Sequence, residues 1–366
     1  MKQLHVGVVI PCLNEELTLA ATAASLGFGE GEPPAETYLV LVDNGSTDNT
    51  LQLAKRIQAE SPPGRVIVGT EPVQSYVSPR HRGNRIMRKF ARSRGIIESD
   101  ILLLQADADT NYAKGYVEAL RKCSRTEGPN VIVEGCMNHP QDFLKDYPSY
   151  IQLCKEVDAE FEYCLSDHPD DVIIDDKNCG YRLSDYFKWG GHRREFTNSG
   201  DEIHSETSRL YIRAKRTNCR RVRTDEAVAR HSTRREVECP SFVFATAGFP
   251  RELSWRLRWT SLYKGANSLK AFANRHKNRE IQIAIGYRRM HLLALFFILP
   301  LHVCQSLGLR SNLSNHPEAT KVLSQLPTRS RRSCLAKPGV MIEDALKFVE
   351  YAPGIVKGAS DFDRVV

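Results

Sequence analysis

Two carboxylates one residue apart, Asp107 and Asp109, follow closely on the apolar run Ile101-Leu102-Leu103-Leu104. Alternate residues of an extended segment point to opposite faces, so this pair cooperates only if the chain turns there. At a strand end, Asp109 can ligate Mg2+ or Mn2+ directly, while Asp107 reaches a ribose hydroxyl or a metal-bound water. Hard carboxylate oxygens together with substrate phosphates are what these ions take. Asp43 stands in the same way behind Leu39-Val40-Leu41-Val42. It is placed to accept a hydrogen bond from a nucleobase or a ribose, and Asn44-Gly45 permits the tight turn beyond it. Behind a third run, Val6 to Ile10, come Pro11, Asn14 and Glu15, which can shape a pocket for a base. The plainer alternative for each is a helix cap or a turn residue.

These groups need elements to hold them. Three apolar runs, each ending in polar residues, describe an open α/β sheet with its ligand at the strand ends. A helix is expected over 16–26, a strand over Tyr38–Val42, and a helix over Thr50–Ala59 capped by Thr47 or Asp48 and broken by Pro62-Pro63-Gly64. Val66–Val68 and Val131–Glu134 read as strands, the latter ending at Gly135, with a helix over Ala113–Arg125 between them. The alternation predicts βαβ units and a mainly parallel sheet.

Residues 80–95 carry eight basic side chains, of which Arg85, Arg88, Lys89 and Arg92 share one helical face. This is either a solvated face, or a helix whose start, at Arg82 or Arg85, binds a diphosphate. Residues 146–196 are irregular and acidic, as suits a variable acceptor-binding region. Trp189 within them is a core residue or a stacking surface for a sugar. A helix near Glu206–Lys215, a short strand at Arg220–Arg223 and the stretch Ala227–Ser232 close the α/β part.

The formal net charge of +7 fits an anionic small ligand or a membrane surface and does not call for nucleic acid. Ten cysteines form no Cys-x-x-Cys pair, so they read as buried thiols of a cytosolic protein. No secretory leader is expected, because the first apolar run is short and acids follow it. Leu292–Val303 is apolar but falls short of the roughly 20 residues that span a bilayer. A core or interfacial helix is expected there. With Arg288, Arg289, Arg310 and Arg329–Arg332 it suggests peripheral contact with an anionic membrane surface.

The segments Ile10-Pro11-Cys12-Leu13-Asn14-Glu15-Glu16, Val42-Asp43-Asn44-Gly45-Ser46-Thr47-Asp48 and Asp107-Ala108-Asp109-Thr110, in this order and spacing, resemble glycosyltransferase family 2. The resemblance covers residues 5–135 and, more thinly, 200–235. It implies a GT-A fold: a mainly parallel, Rossmann-like α/β sheet flanked by helices, here with a C-terminal helical extension. It also implies a nucleotide-diphosphate sugar donor, a hydroxyl acceptor, Mn2+ or Mg2+, and inversion at the anomeric carbon. On this reading residues 1–245 form the catalytic domain, with a nucleotide-binding half to about 135 and an acceptor half beyond it. Residues 246–310, with Trp255 and Trp259, form the helical extension, and 311–366 a mixed or partly flexible tail with a helix near Ile342–Tyr351.

In such a family a catalytic acid sits in a Glu-Asp pair that opens a helix with Leu and Arg. Glu206-Thr207-Ser208-Arg209-Leu210 resembles that helix, but Thr207 stands in the place of the Asp. The resemblance then implies Glu202 or Glu206, ahead of Asp201, as the base, with Asp167–Asp176 held in reserve. His231 is similar in position to a metal-binding His of some members. A nucleotidyltransferase would carry a Gly-rich basic loop after the first strand, and Pro11–Glu16 is acidic and without glycine. A non-catalytic nucleotide-sugar-binding protein is the other alternative, supported by Thr207. The expected location is cytoplasmic, with peripheral contact at the inner face of a membrane.

Overall fold

Eight strands form one mixed sheet: β1 (His5–Cys12), β2 (Thr37–Asp43), β3 (Val66–Thr70), β4 (Ile101–Gln105), β5 (Asn111–Tyr112), β6 (Val131–Asn138), β7 (Cys179–Arg182) and β8 (Arg220–Arg230). Their order is β3-β2-β1-β4-β7-β6-β8-β5. The structure is a computed structural model that describes residues 4–165, 168–249, 252 and 268–351. Trp255, Trp259, Asp167 and the chain beyond Tyr351 lie outside the described residues.

β1 to β4 are the parallel half, in register Ile10↔Leu41 and Val8↔Leu104. Their side chains alternate between two covered faces, as period-2 geometry requires. Val6, Val8 and Ile10 pack with Leu39, Leu41, Leu102 and Leu104 beneath α1 (Leu19–Ser25), α2 (Thr50–Glu60) and α4 (Tyr116–Glu127). On the opposite face α3 (Ser78–Ser93) lies so close that a Cβ on its Gly83 would sit 2.3 Å from Val9 Cγ1. The N-cap of α2 is Asn49, one residue beyond the expected Thr47 or Asp48, though Asp48 Oδ1 accepts from the Thr50 N–H at 3.0 Å.

The other half departs from the expected pattern. β7 runs antiparallel to both β4 and β6, and β5 antiparallel to β8. Neither has an apolar run, because β7 is Cys-Gly-Tyr-Arg and β5 is two residues long. The expected short strand at Arg220–Arg223 and the stretch at Ala227 are one strand, β8. β6 does not end at Gly135 but runs on to Asn138, with a register shift against β8 between Glu134 and Cys136. Gly135 makes the shift possible, since a Cβ there would lie 2.2 Å from the Ala227 carbonyl oxygen and 2.6 Å from Asn178 Oδ1. The helix expected from Ala113 starts later, at Tyr116, after Gly115 turns the chain at φ 87°.

Two compact units interleave along the chain. The sheet unit takes residues 1–139, 174–194 and 205–232; the second takes 140–173, 195–204 and 233 onward. The sequence places its main boundary near residue 245 instead. The described part of the second unit is helical. Its longest helix runs from Arg279 to Leu307, passing through a π-helical stretch at Leu293–Ile298. Among the described residues it alone is long and apolar enough to cross a membrane, with 78% of its apolar window buried. The flanking turns supply the length that the apolar run lacks. Arg288 forks onto Asp158 at 2.7 and 2.8 Å, Arg289 pairs with Glu160, and Arg329 and His302 both meet Asp344. Much of the basic charge flanking the apolar run is thus engaged within the unit. All ten cysteines are free thiols, and Cys239, contrary to expectation, is exposed.

Gly135→Ala should destabilise the protein by about 1–3 kcal/mol, the cost of forcing volume into a packed site. Urea unfolding measures this, and an unchanged midpoint would show that the β6–β8 approach relaxes freely.

Candidate active site

The loop after β1 is sewn to the loop after β2. Asn14, at φ 56°, donates its N–H to Ser46 Oγ at 3.0 Å, and its Oδ1 accepts from the Thr47 N–H at 2.8 Å. Glu15 donates its N–H to Thr50 Oγ1 at 2.7 Å, and Glu16 Oε2 accepts from the Asn49 N–H at 2.9 Å. Asn44 then ties down the loop after β3, donating to the Glu71 and Val73 carbonyls at 2.8 and 2.7 Å. Pro11 lies inside β1, opposite Val42. Pro11, Asn14 and Glu15 therefore frame the crevice, and the Asn14 amide is spent on the neighbouring loop.

Asp43 differs from them. It is 6% exposed, and its Oδ2 accepts from the Gly45 N–H at 3.2 Å. Its Oδ1 is buried with no hydrogen-bond partner among the described residues. A buried carboxylate oxygen left in this state costs free energy, which a ligand hydroxyl or N–H would recover.

At the end of β4 the chain turns, as cooperation between Asp107 and Asp109 requires. The turn is held at several points. Thr22 Oγ1 donates to the Ala108 carbonyl at 2.9 Å and Arg80 to the Ala106 carbonyl at 3.1 Å. The Asp107 N–H donates to Tyr112 Oη at 3.1 Å, and that hydroxyl donates to the Lys177 carbonyl at 3.0 Å. The antiparallel register Asn111↔Arg230 brings His231 opposite the turn that follows Asp109. The His231 ring meets His139 edge-on, with centroids 4.5 Å apart. Asp107 and Asp109 supply the hard carboxylate oxygens that Mg2+ and Mn2+ take, and the imidazole of His231 follows β8 on the same edge of the sheet unit.

The cation of the site is Arg80. It sits in the first turn of α3, is 4% exposed, and pairs with both Asp107 and Glu206, the latter at 2.8 Å. Arg82 and Arg85, expected to bind a diphosphate, are exposed and do not share this buried position. The spacing of Arg80 with Asn84, Met87 and Ala91, all buried, marks the inner face of α3 and was the signal to follow.

Glu206 opens the helix Glu206–Ala214 after Ser205, which holds φ 59°. Burial and the Asp176 charge push its carboxyl up to about 7, against the pull of Arg80. Burial also raises Asp176, whose Oδ1 accepts from the Thr207 N–H at 3.0 Å. The two acids titrate as a set around Arg80. Behind them Thr207 Oγ1 and Tyr181 Oη each lie 3.3 Å from His192 Nε2. Burial first, then Arg80, His81 and other cations, hold this imidazole well below its ordinary value, so it is neutral.

Asp201 and Glu202 belong to the second unit, where the Asp201 N–H donates to Thr197 Oγ1 at 3.1 Å and Glu202 forms a β-bridge with Phe196. Of the three acids expected to include the base, only Glu206 lies in the sheet unit with Arg80 and Asp107. Asp176, from the reserve group, joins it. Trp189 is fully buried, its Nε1 donating to Asn130 Oδ1 at 3.3 Å, so it is core and not a sugar platform.

A mixed, mostly parallel α/β sheet with acids gathered at the carboxyl ends of its parallel strands places the protein in the GT-A class. The model for glycosyl transferase family 2 matches residues 7–187. Uncharacterized glycosyltransferases of Mycobacterium bovis and Mycobacterium tuberculosis are 40% identical over 78 residues, 21% of this chain. The matched part spans 29% of the length of these relatives. Among solved structures, a Pyrobaculum calidifontis mannosyltransferase in complex with GDP-Man and Mn2+ is 14% identical with a TM-score of 0.47, over 96% of this chain and 87% of that one. The S. aureus TarS fragment 1-349 is 14% identical with a TM-score of 0.44, over 96% and 92%. The chain belongs to glycosyltransferase family 2.

Arg80→Leu should destabilise the protein by about 3–5 kcal/mol, because it leaves Asp107 and Glu206 without their shared counter-charge. Chemical denaturation at pH 7.5 measures this. A loss under 1 kcal/mol would mean that solvent, and not Arg80, neutralises these acids.

Proposed function

We propose that the protein transfers a sugar from a nucleotide-diphosphate donor to a hydroxyl acceptor, with a divalent metal and with inversion. The observation that carries this reading is the grouping, within one unit, of the open Asp43 oxygen, the Asp107–Asp109 turn and the Arg80–Glu206 pair. Asp43 Oδ1 accepts from the base or ribose. Asp109, Asp107 and His231 would hold Mn2+ or Mg2+, which when bound would supply charge neutralisation for the diphosphate. Arg80 fixes Asp107 and lends positive charge to the same region. Glu206 takes the proton of the acceptor hydroxyl as it attacks the anomeric carbon, a role that a carboxylate poised near neutral pH suits. A single displacement with one base inverts the centre.

Thr207 favours a second reading, a nucleotide-sugar-binding protein without turnover. Asp109→Asn decides between the two. Mn2+-dependent transfer in the wild type, lost in the folded variant, supports the enzyme. Nucleotide binding with no transfer or donor hydrolysis in either protein supports the binder. A cytoplasmic location with peripheral contact at the inner face of a membrane belongs to the same proposal, and would draw on exposed basic residues such as Arg310, Arg331 and Arg332.

Asp43→Ala should weaken nucleotide binding by about 1.5–3 kcal/mol, the range for a hydrogen bond to a charged group. Calorimetry on the folded variant checks it, and unchanged affinity reduces Asp43 to a turn residue. Transfer should also rise with pH through about 7, since Glu206 must lose its proton to act as the base. Glu206→Gln should abolish this limb and lower turnover by about 10²–10⁴-fold. A pH profile unaltered in that variant places the base elsewhere.

A further inference from the structure

The outer face of α3 is not used by the site described above. Arg85, Arg88, Lys89 and Arg92 line it, and with Phe187 they enclose a surface cavity of about 280 Å³. Arg85 lies five residues beyond Arg80, about 140° round the helix and about 7.5 Å along it, so the two cations face different directions. We propose that this cavity is an anion site for a phosphoryl group, separate from the donor crevice.

Four cations are set against one carboxylate. Arg88 Nε and Arg92 Nη2 both donate to Glu98 Oε1, at 2.7 and 3.0 Å. Arg88 is also stacked on Phe187, its guanidinium carbon 4.0 Å from the ring centroid. These contacts hold Arg88 and Arg92 in place before a ligand arrives, which lowers the ordering cost of binding. Arg85 and Lys89 are exposed and make no ion pair among the described residues. A rigid pair beside a free pair, with three surplus positive charges, calls for a compact ligand bearing several oxygens. A phosphomonoester or diphosphate meets this demand, since guanidinium groups grip phosphate oxygens two at a time. The cavity is smaller than the usual range for a whole cofactor. Its concavity favours a single headgroup or soluble phosphate over a flat run of charge. Two sources share this chemistry: a soluble phosphoester, and the phosphomonoester headgroup of a lipid.

The test uses the full chain and the double variant Arg85→Gln/Lys89→Gln, both without divalent metal and both checked for the same thermal midpoint. One arm titrates inorganic diphosphate by calorimetry. The other floats the protein with vesicles of phosphatidylcholine containing phosphatidic acid, against phosphatidylcholine alone. Diphosphate binding that falls at least tenfold in the variant supports the site with a soluble ligand. Flotation with phosphatidic acid that is lost in the variant supports it with a lipid ligand. Equal behaviour of the two proteins in both arms, or no binding in either, overturns it. Neither arm measures sugar transfer, so the outcome is independent of the proposed activity.

Discussion

The site depends on one buried guanidinium. Arg80 emerges from the first turn of α3 and meets carboxylates delivered by three different parts of the chain: Asp107 after β4, Glu206 at a helix start 126 positions from it in sequence, and the charge of Asp176 before β7. Desolvating so many acids together is unfavourable without a counter-charge. The cation therefore does two things. It makes the convergence of these elements possible, and it leaves the acids in different settings, with Glu206 pushed towards neutral pH by burial and the Asp176 charge while Asp107 pairs with the guanidinium. Unequal acids around one cation are what proton transfer needs.

A second constraint is the way the crevice is walled. The loops after β1, β2 and β3 are held by side chains donating to, or accepting from, neighbouring backbone: Asn14 on Thr47, Glu16 on Asn49, Asn44 on Glu71 and Val73. Polar residues that a sequence suggests as ligand contacts are partly consumed in building the wall. What is left over is informative for that reason. In this wall, Asp43 keeps a buried oxygen with no partner among the described residues, which is why the proposed donor contact rests on it.

The parallel half of the sheet was legible because buried central strands read as apolar runs, and Asp43 and Asp107–Asp109 follow from where those runs stop. The antiparallel half was not. Cys179–Arg182 holds its place through Tyr181 and a glycine that lets Leu103 and Leu104 approach, and nothing in four such residues signals a strand. Arg80 was missed for a related reason. The most visible pattern on α3 is the basic Arg85–Arg88–Lys89–Arg92 row, whereas Arg80 lies on the buried row with Asn84 and Met87. Asp201 and Glu202 looked like neighbours of Glu206 because they are close in sequence, yet the chain passes from the second unit to the first between His204 and Ser205.

Thr207 then has a physical explanation. It is fully buried, its hydroxyl turned to the neutral His192 and its N–H to Asp176. An aspartate here would be a further carboxylate beside Asp176, Glu206 and Asp107, with Arg80 already shared, and the ionised set would lose its balance. A hydroxyl removes that charge while keeping the hydrogen bond to the imidazole. The backbone N–H at the same position recruits Asp176 from a distant loop. Thr207 thus joins the two groups, His192 through its hydroxyl and Asp176 through its backbone.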